Sequence, residues 1–365
     1  MTEYVLVFFF LLVGSLAVYF VYDRYVRRPP MPSAGMYVEA LRDLLNNRQE
    51  AAFTKLRQVV ADDSNNIDAY LRLGQILREH KRPDRALQVH KDLTMRSGLT
   101  LEFKSEILKQ LYRDYLALDD YATAESALKE WVTLEPSNRD PHIFLLRLYE
   151  KQKRWEEAYD AAAAVLKLEG FKTKKPLARY KYQMGRRLHK EREYHKARVL
   201  YKEALGLDPS LVDAYLAIGD SYVSEDRAED AVNIWKKLIS EVPESGHLAI
   251  ARLKRTLFDL GRFGDIMDIC REILRHSPAN LQARLALADF YYKKGDLDSA
   301  DEILSESVSD NPENLEVMLQ QLRLLHEKGD RRKIDELFRR LERQREKASK
   351  DDVEPLSDSS KIAVS

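Results

Sequence analysis

Over most of the chain, apolar residues recur every third or fourth position, which puts them on one face of an α-helix. The helical stretches come in pairs, and KARVLYKEALGLDPSLVDAYLAIGDSYVSEDRAEDAVNIWKKLISEVPES shows the pattern most clearly. A small residue opens the second helix of each pair (helix B), a large one follows four positions later, and a proline closes the pair. The small position runs through Ala52, Ala86, Ala124, Ala158, Ala197, Ala231, Ile266, Ala300 and Ile334, with spacings of 34, 38, 34, 39, 34, 35, 34 and 34. Closing prolines Pro209, Pro243, Pro278 and Pro312 keep the same step.

A period of 34 residues with two helices per period is that of the tetratricopeptide repeat. The expected fold is therefore all-α: a right-handed tetratricopeptide-repeat superhelix of about nine helix pairs, over residues 36–346. Gly74, Gly185 and Gly219 fall where the first helix of a pair (helix A) should approach helix B closely, and the alanines serve that contact from the other side. Tyr115, Tyr149, Tyr222 and Tyr291 occupy a helix A position that fills the gap to the next pair. Pro136 and the later prolines stop helix B, because proline cannot donate to the preceding turn. Isoleucine replaces the small residue at Ile266 and Ile334, which predicts looser or shifted packing there. Insertions at SGLTL, after Arg96, and GFKTKKP, after Glu169, are the expected breaks in regular stacking. The charged stretch RRKIDELFRRLERQREKASK reads as an end helix turning a polar face to water, since end repeats need capping.

A second apolar pattern stands at the start. Tyr4 to Tyr22 is nineteen residues without a charge, thirteen of them Val, Leu or Phe. As a helix it measures about 28 Å, close to the ~30 Å hydrocarbon thickness. Those residues favour insertion by roughly 4–8 kcal/mol. A cleaved signal needs a positive start and a small-residue cleavage site, whereas here Arg24, Arg27 and Arg28 follow the apolar run. Residues 1–23 are therefore expected to form a transmembrane anchor, in contact with the lipid bilayer through residues 4–22. Positive charge after the span puts the repeats in the cytoplasm, on a single-pass protein of the inner membrane. Arg24, Arg27 and Arg28 would meet the membrane interface, residues 24–35 form a basic, Pro-rich tether, and residues 347–365 a disordered tail.

The 60 basic and 60 acidic side chains give zero net charge, which argues against general nucleic-acid binding. One cysteine, Cys270, excludes a disulfide framework and multi-cysteine metal sites. No GxxxxGK[ST], GxGxxG, GxSxG or HExxH is present. In HKEREYH, His189 and His195 stand six apart across a turn, a poor spacing for metal ligands on one helix. Cys270 and His90 occupy the large position of helix B and read as core residues. No catalytic residue, metal or cofactor is expected, and the chain is not expected to be an enzyme.

A helical solenoid binds protein partners through its concave repeat face, lined by helix A. In that register the face carries Lys109 and Arg113, then Arg147 and Lys151, then Tyr182, Arg186, His189 and Lys190. Lys172, Lys174 and Lys175 add charge at the edge, while Asp220 and Asp289 make the distal part mixed. The middle reads as a basic band for an acidic or extended peptide; solvated surface charge is the alternative.

The segment YVEALRDLLNNRQEAAFTKLRQVVADDSNNIDAYLRLGQILREHKRPDRALQVHKDL resembles the opening repeats of the lipopolysaccharide assembly protein B (LapB) family. RPDRALQVHKDL (Arg82 to Leu93) and RDYLALDDYATAE (Arg113 to Glu125) resemble it most. The likeness covers about residues 4–135. It implies an inner-membrane adaptor that presents the lipid A deacetylase to the FtsH protease and so regulates lipopolysaccharide synthesis. The family also carries a C-terminal rubredoxin-like metal module with paired cysteines. No cysteine follows Cys270, so metal binding does not carry over. The alternative is a membrane-tethered scaffold for another assembly, such as protein import, secretion or envelope assembly.

Overall fold

The computed structural model describes Ser15 and residues 33–351, with side chains placed to residue 342. Apart from Ser15, the apolar run of residues 4–22 lies outside the described residues, as do Arg24, Arg27, Arg28 and residues 352–365. Among the described residues there are eighteen α-helices and no strand, and no helix is long and apolar enough to cross a membrane.

Two compact units divide between Phe171 and Lys172, within the GFKTKKP insertion. The first holds four helix pairs: α1 (Ser33–Leu45) with α2 (Gln49–Asp62), α3 (Ile67–Glu79) with α4 (Pro83–Thr94), α5 (Leu101–Ala117) with α6 (Tyr121–Leu134), and α7 (Arg139–Gln152) with α8 (Trp155–Leu168). The second holds five. These are α9 (Ala178–Lys190) with α10 (Tyr194–Leu207), α11 (Val212–Val223) with α12 (Ala228–Glu241), and α13 (Ile250–Asp259) with α14 (Asp265–His276). Then come α15 (Leu281–Lys294) with α16 (Leu297–Asp310), and α17 (Leu315–Lys328) with α18 (Arg331–Asp351). In each unit helix A packs on its own helix B, and α3 also meets α5 as α9 meets α11.

The repeat register is visible in the packing. All seven alanines of the small position are fully buried. Four residues beyond them, the side chain of helix B fills the space that helix A leaves. A Cβ on Gly219 would sit 2.1 Å from the Trp235 indole nitrogen, and one on Gly185 would sit 2.6 Å from the Tyr201 ring. Gly74 meets the His90 ring in the same way. Where helix A carries alanine instead, as at Ala40 and Ala288, helix B presents Leu56 and Leu304, all buried. Large ring against glycine and leucine against alanine are two solutions to one volume constraint, since interiors are close-packed.

Helix ends are locally encoded. Asn66, Thr100, Asp120 and Asn138 in the first unit cap the following helix, each accepting from a backbone N–H. Asn280, Asp296 and Asn314 do so in the second. Such a cap stabilises by about 1 kcal/mol. Pro136, Pro209, Pro243, Pro278 and Pro312 each stand two residues past the end of helix B. The A–B turn has a register of its own: Asn47, Lys81, Asp119, Lys153, Arg192, Asp226, Gly261, Gly295 and Gly329 all take positive φ. Each lies five residues before its small position, so the same left-handed turn joins every pair.

The seventh pair departs from the rest. A 3₁₀ segment, Pro243–Ala249, enters it, and α13 is only ten residues long. Ile266 is buried, but α14 begins only one residue before it, unlike the other B helices. The start is shifted at Ile266, as expected, but α18 starts three residues before Ile334, as at the alanine positions, so no such shift occurs at the second isoleucine.

Candidate functional site

In the first unit, α5 and α7 bring together part of the cationic set. Arg147 lies over the Phe144 ring, 5.9 Å from its centre, and the Lys151 ammonium is 4.9 Å from the centre of Tyr121. Phe144 in turn packs on Tyr112 at 5.3 Å and on Trp131 at 6.0 Å. Burial raises the Tyr112 hydroxyl pKa, and the positive charges of Arg147, Arg113 and Lys151 oppose that rise. Those three cations therefore gather around one aromatic cluster. Lys109 instead leans on Glu106 at 3.0 Å. Arg147 and Lys151 are exposed, and Arg113 is half-buried.

The same unit has an acidic side that the sequence reading did not include. A cleft of about 690 Å³ is lined by Asp68, Glu102, Glu106, Glu135 and Asp140, with Arg72 and Lys109 as its cations. Asp68, Glu102 and Asp140 are each the second residue of a helix A. Carboxylates there are favoured by the positive end of the helix dipole, and cations are favoured in the last turn, where Lys151 of α7 stands. Three helix A starts in this unit therefore present acid to one cleft, while Arg147 and Lys151 lie further along α7. Counting acids at helix starts in the repeat register would have revealed this.

Beneath that surface, Asp114 accepts from Arg78 at 2.5 Å and pairs with the His90 ring. Arg78 also donates to Gln110 at 2.8 Å, and the second His90 ring nitrogen lies 3.2 Å from the Leu71 carbonyl. His90 is fully buried, the core position expected of it. Its role is to tie α3, α4 and α5 together with charge-assisted hydrogen bonds, which are stronger than neutral ones.

In the second unit, Tyr182, Arg186, His189 and Lys190 all lie on α9. Tyr182 stacks on Tyr201 at 5.6 Å, and Arg186 lies 5.8 Å from the Tyr182 ring centre. His189 packs edge-on against Tyr194 at 5.1 Å, and burial lowers its pKa. Arg186 and Lys190 are exposed. Asp220 on α11 is held by Arg252 on α13 through hydrogen bonds of 2.8 and 3.1 Å. Asp289 on α15 pairs with Lys254 and, at 3.3 Å, with Lys293. The two acids placed on this face are neutralised by the neighbouring helix A.

The Cys270 thiol is fully buried and its pKa is pushed up to about 12 by that burial. It is an apolar filler, with no thiolate to act as nucleophile or ligand. Among the described residues, no cluster of three His, Cys, Asp or Glu side chains could hold a metal ion.

Paired helices in a fixed register define a helical repeat scaffold. Tetratricopeptide-repeat family models match residues 213–245 and 257–329. The chain is similar to lipopolysaccharide assembly protein B of Escherichia coli (strain K12), with 23% identity over 273 residues, 74% of this chain and 70% of that protein. The protein of the same name from Haemophilus influenzae (strain ATCC 51907 / DSM 11121 / KW20 / Rd) is 26% identical over 217 residues, 57% of this chain and 54% of its own. A chain in the structure of Naa15/Naa10 bound to HypK-THB covers 81% of this chain and 44% of its own, at 14% identity and a TM-score of 0.42. The chain thus carries tetratricopeptide repeats and is similar to the LapB proteins, the resemblance expected of it.

Proposed function

We propose that this chain is a membrane-anchored cytoplasmic adaptor that regulates lipopolysaccharide synthesis by presenting the lipid A deacetylase to the FtsH protease. The observation that carries the reading is similarity to lipopolysaccharide assembly protein B over 74% of this chain, well beyond a single repeat. A repeat scaffold suits the role because it binds without chemistry. The anchor is residues 4–22, with Arg24, Arg27 and Arg28 at the lipid headgroups, worth about 1 kcal/mol each against anionic lipid.

The partner surfaces are the cationic set Lys109, Arg113, Arg147 and Lys151 in the first unit, and Tyr182, Arg186, His189 and Lys190 in the second. Their exposed members, Arg147, Lys151, Arg186 and Lys190, are free to meet an acidic segment. The test is co-purification of the full chain from membranes, with and without Arg147→Glu and Arg186→Glu together. Enrichment of the protease and the deacetylase, lost on charge reversal in a salt-dependent way, is the expected result. Binding unchanged by the reversal would remove the basic surfaces. Absence of both proteins alongside another envelope assembly would replace the proposed task with that of a scaffold for the assembly found.

A further inference from the structure

The departure of the seventh helix pair opens a second surface, separate from the cationic set. A cleft of about 500 Å³ lies between α13, α14 and α15, lined by Leu257, Phe258, Phe263, Ile266, Ala286 and Phe290 as its apolar wall. The cleft lies where α13 is only ten residues long and Ile266 takes the small position of α14. Phe258 and Phe263 face each other edge to face at 5.1 Å, and are 65% and 51% exposed. Two phenyl rings left in water beside an apolar hollow mark a binding surface in a soluble repeat. The rim is cationic: Lys254, Lys293 and Lys294 stand against Asp289 alone. Asp289 is already shared by Lys254 and Lys293, which leaves excess positive charge around the opening.

We infer that this cleft docks an acidic segment of a partner protein that carries two adjacent large apolar side chains flanked by carboxylates. The volume falls within the ~300–1,000 Å³ range of ligand pockets and has room for two such side chains. Apolar anchors enter between Phe258, Phe263 and Phe290, while flanking carboxylates meet Lys293 and Lys294. Charge at the rim sets the sign of the partner, and the buried anchors supply the affinity. The inference does not depend on the proposed role in lipopolysaccharide synthesis.

The probe is a fluorescein-labelled peptide, Asp-Glu-Phe-Leu-Asp-Glu, titrated by anisotropy against the full chain in detergent. Saturable binding is expected, about tenfold or more weaker for Lys-Lys-Phe-Leu-Lys-Lys and for Asp-Glu-Ala-Ala-Asp-Glu. Phe258→Ala with Phe263→Ala should weaken it at least about tenfold, and Lys293→Glu with Lys294→Glu should reverse the preference between the acidic and basic peptides. All four side chains are exposed, so these variants keep the fold, which an unchanged thermal transition verifies. Arg147→Glu with Arg186→Glu should leave the titration unchanged, which separates this surface from the ones proposed above. No binding up to about 1 mM, equal binding of the three peptides, or insensitivity to the phenylalanine pair would overturn the inference. So would a dimer of the full chain that dissolves on the phenylalanine substitutions, which would assign the cleft to self-association.

Discussion

The volume exchange between helix A and helix B is sharpest at Gly219, where one methyl group should have opposite effects at two glycines of adjacent helices. Gly219→Ala puts a Cβ 2.1 Å from Trp235 Nε1 and 2.2 Å from Cε2. Trp235 is 1% exposed and cannot swing away. Its indole N–H also donates to the Leu216 carbonyl at 3.4 Å, a bond that a displaced ring gives up. Overpacking of this kind costs about 1–3 kcal/mol, and an unpaired buried N–H costs about 1–3 kcal/mol more. Better helix propensity returns about 1 kcal/mol. The net loss is about 1–5 kcal/mol. Gly206, near the end of α10, has nothing within 4 Å of the Cβ it would gain, so Gly206→Ala keeps only the propensity gain, about 0.5–1 kcal/mol. Because repeats unfold piecewise, the assay is hydrogen exchange of the α11 and α12 amides in the full chain, read by mass spectrometry. A loss of about 2 kcal/mol appears as roughly thirtyfold faster exchange for Gly219→Ala, while Gly206→Ala slows exchange in α10. Adding Trp235→Leu reproduces the pairing already present at Ala288 and Leu304, so the double variant should lose less than the sum of its parts by about 2 kcal/mol. Additive losses, or the same sign at both glycines, would refute the volume argument.

Two further outcomes test the electrostatics and the turns. Burial alone would raise the Glu125 pKa, but hydrogen bonds from Arg154, Lys129 and Tyr149 hold it down at about 2. With its pKa depressed from 4.5, its contribution, at most about 3 kcal/mol, is complete above that pH and lost as pH falls through about 2. Glu125→Gln should therefore destabilise at neutral pH and converge with the parent chain near pH 2 in acid denaturation followed by circular dichroism; parallel profiles would exclude the ion-paired carboxylate as the cause. Lys153 holds φ at 58° in a turn that Gly295 makes at 84°. Lys153→Gly removes the left-handed penalty of about 1–2 kcal/mol and loses part of that to chain entropy, so a gain of about 0.5–1 kcal/mol is expected as a higher thermal midpoint, and a lowered midpoint would count against the strained turn.

The small position, glycine approaches, proline stops and burial of His90 and Cys270 could all be read from the amino acids. Each depends on residues a few places apart within one repeating unit, and the 34-residue step says which face they share. The left-handed turns were hidden, because six of the nine residues that make them are Asn, Asp, Lys or Arg, which carry no glycine signal. The cationic residues were correctly placed on helix A, but their aromatic bed was not visible. Phe144 reaches Tyr112 and Trp131 from a different pair, and no periodicity reports which rings meet between repeats. The acidic cleft was missed for a similar reason, since Asp68, Glu102 and Asp140 share it only after three helix starts are aligned.

By itself, the order of residues determined the helix pairs, their register and their internal packing, because those follow from contacts along one or two turns of chain. Folding in three dimensions decided what the surface offers: an acidic cleft and cations gathered on an aromatic cluster in the first unit, and in the second Asp220 and Asp289 matched by cations of a neighbouring helix A and a cleft at the seventh pair. Those properties belong to spaces between helices, and the size and charge of such a space depend on side chains that come together only when successive pairs are stacked.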